Sequence, residues 1–542
     1  MKNNIAIKWW HSAVIYQIYP RSFFDSNQDG VGDLTGISEK LGYVADLGVD
    51  AIWISPFLKS PQADFGYDVS DYYQIDPLFG TLADFDELVR KAHQLGLRVI
   101  MDMVLNHTSI QHPWFQESHQ NRHGSKADWY VWADAKPDGS PPNNWLSVFG
   151  GSAWEWDEGR QQYYFHNFLA SQPDLNFHHP DVVQALLAAT QFWLDRGVDG
   201  FRLDTANFYV HDKALRDNPL RAESEPPAEG VPPENPYARQ HHLYDKSRPE
   251  NYAVLKQIRQ LMDRYPRAVT IGEIGDDNSL VTAANYVKGN EHLHMVYNFR
   301  LLDASTQFSP RFLAEVVTSL EAHIEDGWPC WSFSNHDVVR VATRFSQGNP
   351  SAARSKLLLA LLLTLRGTVC LYQGEELGLT EAEVPYEQMR DPYGIRFYPT
   401  FKGRDGCRTP MPWDEAGGFS NETPWLPMPA AHLAQSVNQQ QADSHSVLRF
   451  CQQFLRWRKD YPALCHGLIN LTWVTDTLLA FERRWGSQVI VCLFNFSDQA
   501  MTVSDDKLSA FQSLAGHGFA VTAQAAPFSL PPLGVYFGIK HG

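Results

Sequence analysis

The chain has 542 residues, 44% hydrophobic and 20% charged, with a formal net charge of −17 at pH 7. Its length predicts two or three structural units, and its composition is typical of a folded globular protein rather than a disordered one. The acidic balance argues against nucleic acid or an anionic membrane surface as partner, and the sequence has no run of about 18 apolar residues that would indicate a membrane span.

The six cysteines are spread along the chain without a C-x-x-C pair. This pattern is typical of buried or free thiols and argues against a disulfide framework or a zinc site. The first ten residues also lack the basic segment, apolar core and cleavage site of a secretory leader. We therefore expect a cytoplasmic protein, and we expect no organic cofactor.

Short β-prone segments alternate with helical stretches along most of the chain. The helix predicted over residues 82–95, for example, begins with a capping pair, Thr81 and Asp84, and has apolar residues at helical spacing. Eight strands alternating with helices predict a parallel (β/α)₈ barrel with its active site at the carboxyl ends of the strands. The predicted strands are residues 13–19, 51–55, 98–104, 200–204, 268–273, 294–299, 330–335 and 368–372.

The loop after the first predicted strand is rich in oxygen-bearing side chains. Asp25, Asn27, Asp29, Val31 and Asp33 occupy alternate positions around a glycine. Hard oxygens in such a turn suit one structural Ca²⁺ or Mg²⁺, although the loop lacks the final bidentate Glu of an EF-hand. The alternative interpretation is a solvated Asp/Asn/Gly turn without metal.

Three segments depart from a simple barrel. Residues 107–177, rich in Trp, Asn and Gly, are too many for an ordinary βα loop and predict an inserted subdomain overhanging the site. Residues 223–236, rich in Pro and Glu, are expected to form an exposed loop after the fourth strand. Alternating strands and turns predict a C-terminal antiparallel β-sandwich over residues 471–542. The barrel then comprises residues 1–106 and 178–470.

The fourth predicted strand ends in Gly200-Phe-Arg-Leu-Asp204. Because alternate residues of a strand share a face, Arg202 and Asp204 point the same way, towards the inside of the barrel. Such a polar pair is costly there unless it is fully paired or functional. One interpretation is a buried ion pair, and the other is a carboxylate nucleophile that the guanidinium keeps ionised.

Three other predicted strands also end in polar clusters. Glu273 ends the fifth strand, and it is better placed than Asp276 and Asp277, which fall in the loop beyond. Phe333-Ser-Asn-His-Asp337 ends the seventh strand, and Asp102-Met-Val-Leu-Asn-His107 ends the third. Four such clusters at one end of a barrel outweigh a purely structural explanation.

Glycoside cleavage accounts for this set of side chains. A retaining glycosidase holds two carboxyl groups about 5–5.5 Å apart, one as nucleophile and the other as acid and then base. Its transition state is cationic, so a third carboxylate beside it is stabilising. Neutral histidines can bind sugar hydroxyls without neutralising the acids. The pattern therefore favours a glycoside hydrolase.

The four clusters resemble the signature regions of the α-amylase superfamily of glycoside hydrolases and appear in that family's order. Gln172-Pro-Asp-Leu-Asn176 resembles the additional motif of its oligo-1,6-glucosidase and α-glucosidase branch. The resemblance begins at Tyr16-Gln-Ile-Tyr-Pro-Arg-Ser-Phe23, includes Gly66-Tyr-Asp68 and ends in Arg408-Thr-Pro-Met-Pro-Trp-Asp414. It covers nearly the whole predicted barrel and implies an α-glucosidase.

The resemblance implies catalytic roles for the matching residues. Asp204 would be the nucleophile, Glu273 the general acid/base and Asp337 the stabiliser of the transition state. Arg202 would orient Asp204. In this family the oxygen-rich loop after the first strand binds a structural cation, which favours the metal interpretation of that loop.

The same resemblance implies a sugar-binding pocket. Asp64 and Arg404 match the pair that closes the pocket behind the non-reducing end, so that single glucose units are released from chain ends. The residue after the nucleophile is Thr205, and enzymes of this branch that prefer α-1,4 links carry Thr or Ala there, whereas those that prefer α-1,6 links usually carry Val. The other residues implied in sugar binding are His107 and His336 on hydroxyls, Tyr67 on the ring face, and Phe149, Phe168 and Phe299 as walls.

These residues lead us to expect hydrolysis of maltose-type substrates, and of sucrose, with transglucosylation when an acceptor alcohol replaces water. Oligo-1,6-glucosidases, sucrose isomerases and trehalose-processing enzymes share the same first step and are the alternatives. The arginine-rich motif of sucrose isomerases is absent, because Tyr297-Asn-Phe-Arg-Leu301 occupies the comparable stretch. A non-catalytic transporter subunit of this superfamily is disfavoured, because all three acids are present and no membrane span is predicted.

Overall fold

The protein is described by a computed structural model over residues 7–228, 230–302, 308–346, 348–504, 506–520 and 527–541. Its largest sheet has eight parallel strands, and a parallel bridge from Val296 to Pro329 joins its two ends. The predicted (β/α)₈ barrel is confirmed. The strands are β1 Val14–Ile18, β2 Ala51–Ile54, β3 Arg98–Met103, β4 Gly200–Leu203, β5 Val269–Ile274, β6 Met295–Asn298, β7 Cys330–Ser332 and β8 Thr368–Tyr372. Their order in the sheet is β6-β5-β4-β3-β2-β1-β8-β7.

Every predicted barrel strand is present, with its ends displaced by at most a few residues. The largest difference is in β7, which ends at Ser332 and not at residue 335. The Ser332 hydroxyl donates to the carbonyl of Ser334 at 2.6 Å, so the backbone turns where the polar cluster begins. This turn leads directly to Asp337.

The helices of the barrel pack outside the strands. Thr81 and Asp84 form the predicted reciprocal cap at the start of Leu82–Gln94. The long helices around the barrel are Leu34–Leu47, Leu82–Gln94, Pro180–Asp195, Asn251–Met262, Ser279–Val287, Pro310–His323, Ala352–Thr364 and Val447–Lys459. Shorter α-helices span Val341–Arg344, Pro392–Phe397, Ala430–Leu433, Val437–Ala442 and Pro462–His466.

The inward-facing residues of the barrel strands are apolar inside the barrel and polar at its carboxyl end. Ile100 and Ile271 belong to the buried apolar cluster inside the barrel. Asp102 and Glu273 lie two residues further along the same strands and therefore share the same inward face. Both carboxylates are thereby placed at the carboxyl end, where the strands open towards the pocket.

Smaller β structures accompany the barrel, the first of them an antiparallel pair of Leu58–Lys59 and Asp71–Ile75 after β2. Between β3 and β4 lie a helix, Pro113–Gln120, and a three-stranded antiparallel sheet of Trp132–Ala133, Gln162–Phe165 and Trp154–Asp157. Near the C-terminus a five-stranded antiparallel sheet starts at Leu468, and a two-stranded sheet accompanies it. These strands are Leu468–Val474, Leu478–Trp485, Gln488–Asn495, Val535–His541 and Gln512–Ser513, with Met501–Val503 and Phe528–Leu530 in the pair. Across the described residues, no helix combines the length and apolarity required to cross a bilayer.

Candidate active site

A pocket of about 520 Å³ opens at the carboxyl ends of the barrel strands. Arg202 and His336 do not line it but are fully buried beneath it, with 0% of either residue exposed. The predicted catalytic and sugar-binding residues that do line it are Asp64, Tyr67, His107, Phe149, Phe168, Asp204, Thr205, Glu273, Phe299, Asp337 and Arg404.

Arg202 connects the two predicted reacting carboxylates. Its Nη1 lies 2.6 Å from Oδ1 of Asp204, and its Nη2 lies 2.6 Å from Oε2 of Glu273. Nη1 also contacts Oδ1 of Asp102 at 2.9 Å. Because a guanidinium is planar and rigid, these bonds fix both carboxylates relative to each other.

One oxygen of each carboxylate accepts only a long hydrogen bond from the described residues. Among the described residues, Oδ2 of Asp204 accepts a single bond, from the Thr205 hydroxyl at 3.3 Å. Oε2 of Glu273 accepts the Thr205 amide at 3.0 Å, whereas Oε1 meets the Tyr297 hydroxyl at 3.3 Å. Tyr297 in turn accepts from Nε and Nη2 of Arg202 at 3.2 and 3.0 Å. Asp204 Oδ2 and Glu273 Oε1 are therefore the atoms free to react.

The backbone at Thr205 is in the left-handed region, with φ of 41°. A β-branched residue rarely adopts this conformation, so the turn stores strain that its surroundings must hold. Its amide and hydroxyl contact Glu273 and Asp204 respectively. The strained turn thus orients both acids at once.

Asp204, Glu273 and Asp337 have different pKa values because their surroundings differ. Burial raises the pKa of Glu273 to about 8, with Arg202 opposing and Asp204 adding to the shift. Burial also raises the pKa of Asp204, to about 6, again against Arg202. These shifts suit an acid that carries its proton near neutral pH beside a carboxylate that has lost its own.

The third acid, Asp337, has the opposite shift. Burial would raise its pKa, but its charged neighbours outweigh burial and lower the pKa below its ordinary value. We attribute this chiefly to Arg408, at 2.8 Å, and Arg404, at 3.3 Å, because burial lowers the pKa of His336 and leaves that ring neutral. Asp337 is thus an ionised carboxylate throughout the neutral range.

One end of the pocket is closed by an ionic network. Nη2 of Arg404 donates to Asp64 at 2.9 Å and to Asp391 at 2.8 Å. Gln172 donates to Asp64 at 3.2 Å and lies 3.2 Å from Nε2 of His107. These side chains therefore satisfy one another at this end of the pocket.

Tyr67 and His336 form a second layer beside this closed end. Their rings stack at 5.4 Å with an interplanar angle of 10°, and the Tyr67 hydroxyl contacts both His336 and Asp102. Nδ1 of His336 lies 2.8 Å from Gln17 on β1. His336 therefore holds Tyr67 from below, and Tyr67 presents its face to the pocket.

The three predicted phenylalanines all line the pocket. Phe149 and Phe168 pack edge-on at 6.1 Å, and Phe168 lies 5.2 Å from the His107 ring. The guanidinium of Arg404 lies 5.3 Å over Phe149. Phe299 faces Gly275, the second residue after Glu273.

The proline-rich segment after β4 forms part of the pocket rim. As predicted, most of the described residues of segment 223–236 are exposed, and Gly230, Val231 and Glu234 also line the pocket. The segment is held down by Asn235, which is fully buried and donates to the Val148 carbonyl at 2.7 Å and to the Tyr393 hydroxyl at 3.1 Å. This one buried amide anchors an otherwise largely exposed loop to the pocket rim.

Several residues of the site were missed by sequence reasoning. Asp102 and Gln172 lie within the motifs, but only the contacts reveal that they position Arg202 and Asp64. Alternation was the signal for Asp102, because it lies two residues after inward-facing Ile100. Tyr297 and Arg408 lie in segments that sequence reasoning singled out without giving these residues a role. Tyr237, Lys246 and Asp391 come from loops whose spacing indicates nothing.

The oxygen-rich loop after β1 lies outside the pocket lining, and its side chains bind its own backbone. Asp25 accepts the amides of Gln28 at 2.7 Å and Gly30 at 2.8 Å. Asp33 accepts from Ser26 and caps the helix Leu34–Leu47. Asp29 accepts the amide of Val31 at 2.9 Å and the side-chain amide of Asn27 at 3.2 Å. Within the described residues no three His, Cys, Asp or Glu side chains converge as a metal-binding group.

Known proteins and one protein family match most of the length of this chain. Residues 17–467 match the protein family described as "Alpha amylase, catalytic domain". A probable α-glucosidase of Rhizobium meliloti (strain 1021) is 54% identical over 98% of this chain and 96% of its own, and an oligo-1,6-glucosidase of Parageobacillus thermoglucosidasius is 35% identical over 91% of each. The crystal structure of the α-glucosyl transfer enzyme XgtA has a TM-score of 0.96 and 52% identity, covering 99% of this chain and all of the other.

Proposed function

The chain belongs to the α-amylase catalytic-domain family and is a glycoside hydrolase of the α-glucosidase type, and from that premise we propose an exo-acting enzyme that works by retaining double displacement. One observation carries the mechanism. Asp204 and Glu273 share the two Nη atoms of one guanidinium, yet their pKa values are shifted to about 6 and about 8. A nucleophile and a proton donor are thus held side by side near neutral pH.

In the first step Oδ2 of Asp204 attacks the anomeric carbon of the terminal glucose, and the glycosidic bond breaks as Glu273 passes its proton to the leaving oxygen. Asp337 stabilises the cationic transition state with its negative charge. In the second step Glu273, now a base, takes a proton from water, whose oxygen attacks the same carbon and releases Asp204. An alcohol in place of water gives transglucosylation, and two inversions return the α configuration.

The closed end supports release of single glucose units. Arg404 and Asp64 block the pocket beyond the terminal sugar, so the scissile bond is the first from the non-reducing end. His107, with its pKa lowered by burial to about 4, is a neutral partner for a sugar hydroxyl. Tyr67 offers its ring face to the same glucose, and Phe149 and Phe168 would form the walls.

We propose maltose-type α-1,4 substrates, and sucrose, over isomaltose. The support is Thr205, whose hydroxyl donates to Asp204 Oδ2, whereas Val at this place would offer only a methyl group. An oligo-1,6-glucosidase is the second candidate, favoured by the 35% identical relative of that name.

We also propose a cytoplasmic location and a structural Ca²⁺ or Mg²⁺ in the loop of residues 25–33. The six free, buried thiols support a reducing compartment. The oxygen donors Asp25, Asn27, Asp29, Val31 and Asp33 support the cation, which would brace the loop and take no part in the reaction. The hydrogen bonds from these side chains to the loop's own backbone favour the metal-free alternative, so chelation is the test.

A proton-NMR time course with maltose, isomaltose and sucrose in parallel tests the proposed reaction. We expect α-glucose to appear first, with maltose consumed faster than isomaltose. Initial β-glucose would overturn the double displacement, and faster isomaltose cleavage would overturn the bond preference. New disaccharides without free glucose would keep the nucleophile but make the enzyme an isomerase or transglucosylase.

A further inference from the structure

One wall of the pocket contains a lysine that the reaction above does not use. Lys246 lines the pocket although only 6% of the residue is exposed. Its ammonium lies 5.0 Å from the Phe208 ring and 5.3 Å from the Tyr237 ring. Within the described part of the chain it has neither a hydrogen-bond acceptor nor an ion-pair partner. A cation this buried without a direct partner is costly, and ring faces offset only part of that cost.

The acidic groups around Lys246 are engaged elsewhere. Asp245 pairs with His242 at 2.6 Å, Asp276 accepts from Ser247, and Asp277 pairs with Arg221. Glu234 also lines the pocket but is exposed at its rim. The Tyr237 hydroxyl beside Lys246 is buried and has no partner among the described residues either. In the part of the pocket that the structure describes, this wall therefore presents one unpaired ammonium on an otherwise apolar surface.

The position of Lys246 relative to the reacting acids is fixed by its neighbour, Ser247. The Ser247 amide donates to the Asn207 carbonyl at 2.6 Å, and Asn207 Nδ2 donates to the Ser247 hydroxyl and to the Gly275 carbonyl, both at 2.9 Å. Gly275 follows Glu273 by two residues. Lys246 is thereby attached to the side of the pocket from which Glu273 donates its proton, the side of the leaving group.

We propose that Lys246 recognises the leaving group and the acceptor, and that it favours one with a flat apolar body and an anionic oxygen over an uncharged one of the same shape. This inference rests on the proposed function and names the chemistry of its second substrate site. Phe208 and Tyr237 supply the apolar contacts, and the ammonium supplies the charge. A carboxylate gains more from an ammonium than an uncharged hydroxyl or amide does, and it gains most once the bound aromatic body displaces water from this wall.

Two aryl α-glucosides that differ only in charge test the proposal: 4-carboxyphenyl and 4-carbamoylphenyl α-D-glucopyranoside. Their kcat/KM ratio is measured in the full-length enzyme and in variants, so that the intrinsic difference between the two leaving groups cancels. We expect Lys246→Met to lower the carboxyl-to-carbamoyl ratio about tenfold or more, the scale of a lost hydrogen bond to a charged group. Lys246→Arg should retain the preference.

The matched control is Lys126→Met. Lys126 also places its ammonium over an aromatic ring, 4.4 Å from Trp129, but does not line the pocket. Its ratio should stay at the wild-type value. A ratio that changes less than about twofold in Lys246→Met would overturn the proposal.

Two further measurements deal with a variant that does not fold and with a failure of the proposed function itself. If Lys246→Met does not fold, inhibition of the unmodified enzyme by benzoate and benzamide replaces it, with benzoate expected to bind about tenfold more tightly and equal binding overturning the proposal. Wild-type turnover of α-glucosyl fluoride, whose leaving group is too small to reach Lys246, tests the glucosidase itself. An enzyme inert to the fluoride fails the proposed function, whereas an active enzyme with an unchanged ratio fails this inference alone.

Discussion

Two acid-rich regions of this molecule differ in what their carboxylates bind. At the pocket floor Asp204 and Glu273 bind the guanidinium of Arg202 and each keeps one oxygen towards the open pocket. In the loop after β1, Asp25 and Asp33 bind amide groups of their own loop. Carboxylates that contact a distant cation and face open space are available for chemistry. Carboxylates that satisfy nearby backbone donors shape a turn, whatever else they bind.

The largest effect that would test this contrast is expected at Asp204. Asp204→Asn keeps the shape but removes the nucleophile, so we expect kcat/KM for maltose to fall about 10⁴-fold or more. Arg202 retains Asp102 and Glu273 as partners, so the melting temperature should stay close to that of the wild type. Steady-state kinetics and a thermal melt on the same sample measure both. A stable variant with near-normal activity would remove Asp204 from the mechanism.

The loop supplies the control for that experiment. Asp25→Asn is the same chemical change at an equally buried carboxylate, but it replaces an oxygen that accepts the Gly30 amide and touches no reacting group. We expect the reverse pattern, with a lower melting temperature and kcat/KM unchanged. Equal losses of activity in the two variants would show that the contrast between the regions is wrong.

The second effect concerns the proton donor. Glu273→Gln should lower kcat/KM for maltose by about 10²-fold or more, the scale of general acid catalysis. A substrate whose leaving group needs no proton, such as α-glucosyl fluoride, should lose much less in the first step. Comparing the two substrates in this variant separates acid catalysis from a general disturbance of the floor. Equal losses on both would assign Glu273 a structural role.

The pH profile should show both shifted acids. Asp204 must be ionised, so kcat/KM should fall about tenfold per unit as the pH drops below its pKa of about 6. Glu273 must be protonated, so activity should fall similarly above its pKa of about 8. The optimum therefore lies between these values. Glu273→Gln should lose the alkaline limb alone, and a limb that persists there would belong to another group.

Much of the pocket floor was predictable from sequence, because strand alternation and strand ends are local properties. Arg202, Asp204 and Glu273 follow from where two strands stop. Contacts between distant loops could not be predicted this way: Arg404 meets Asp64 across 340 positions, and only the family resemblance suggested that pair. Nothing in the sequence indicates that Lys246 is buried, because a lysine in a loop is ordinarily solvated. Burial, which depends on the whole fold, is what sets it apart.

The smallest expected effect returns to the loop after β1. If the loop holds a structural cation, a chelator should lower the melting temperature by a few degrees, as about 1–2 kcal/mol of lost stability does in a large protein. Because the loop lies outside the pocket lining, kcat/KM below the melting temperature should not change. Metal analysis of the purified protein should then give one Ca²⁺ or Mg²⁺ per chain. If melting temperature and metal content are both unaffected by chelation, Asp25 and Asp33 act through backbone hydrogen bonds alone, and the loop is a turn without metal.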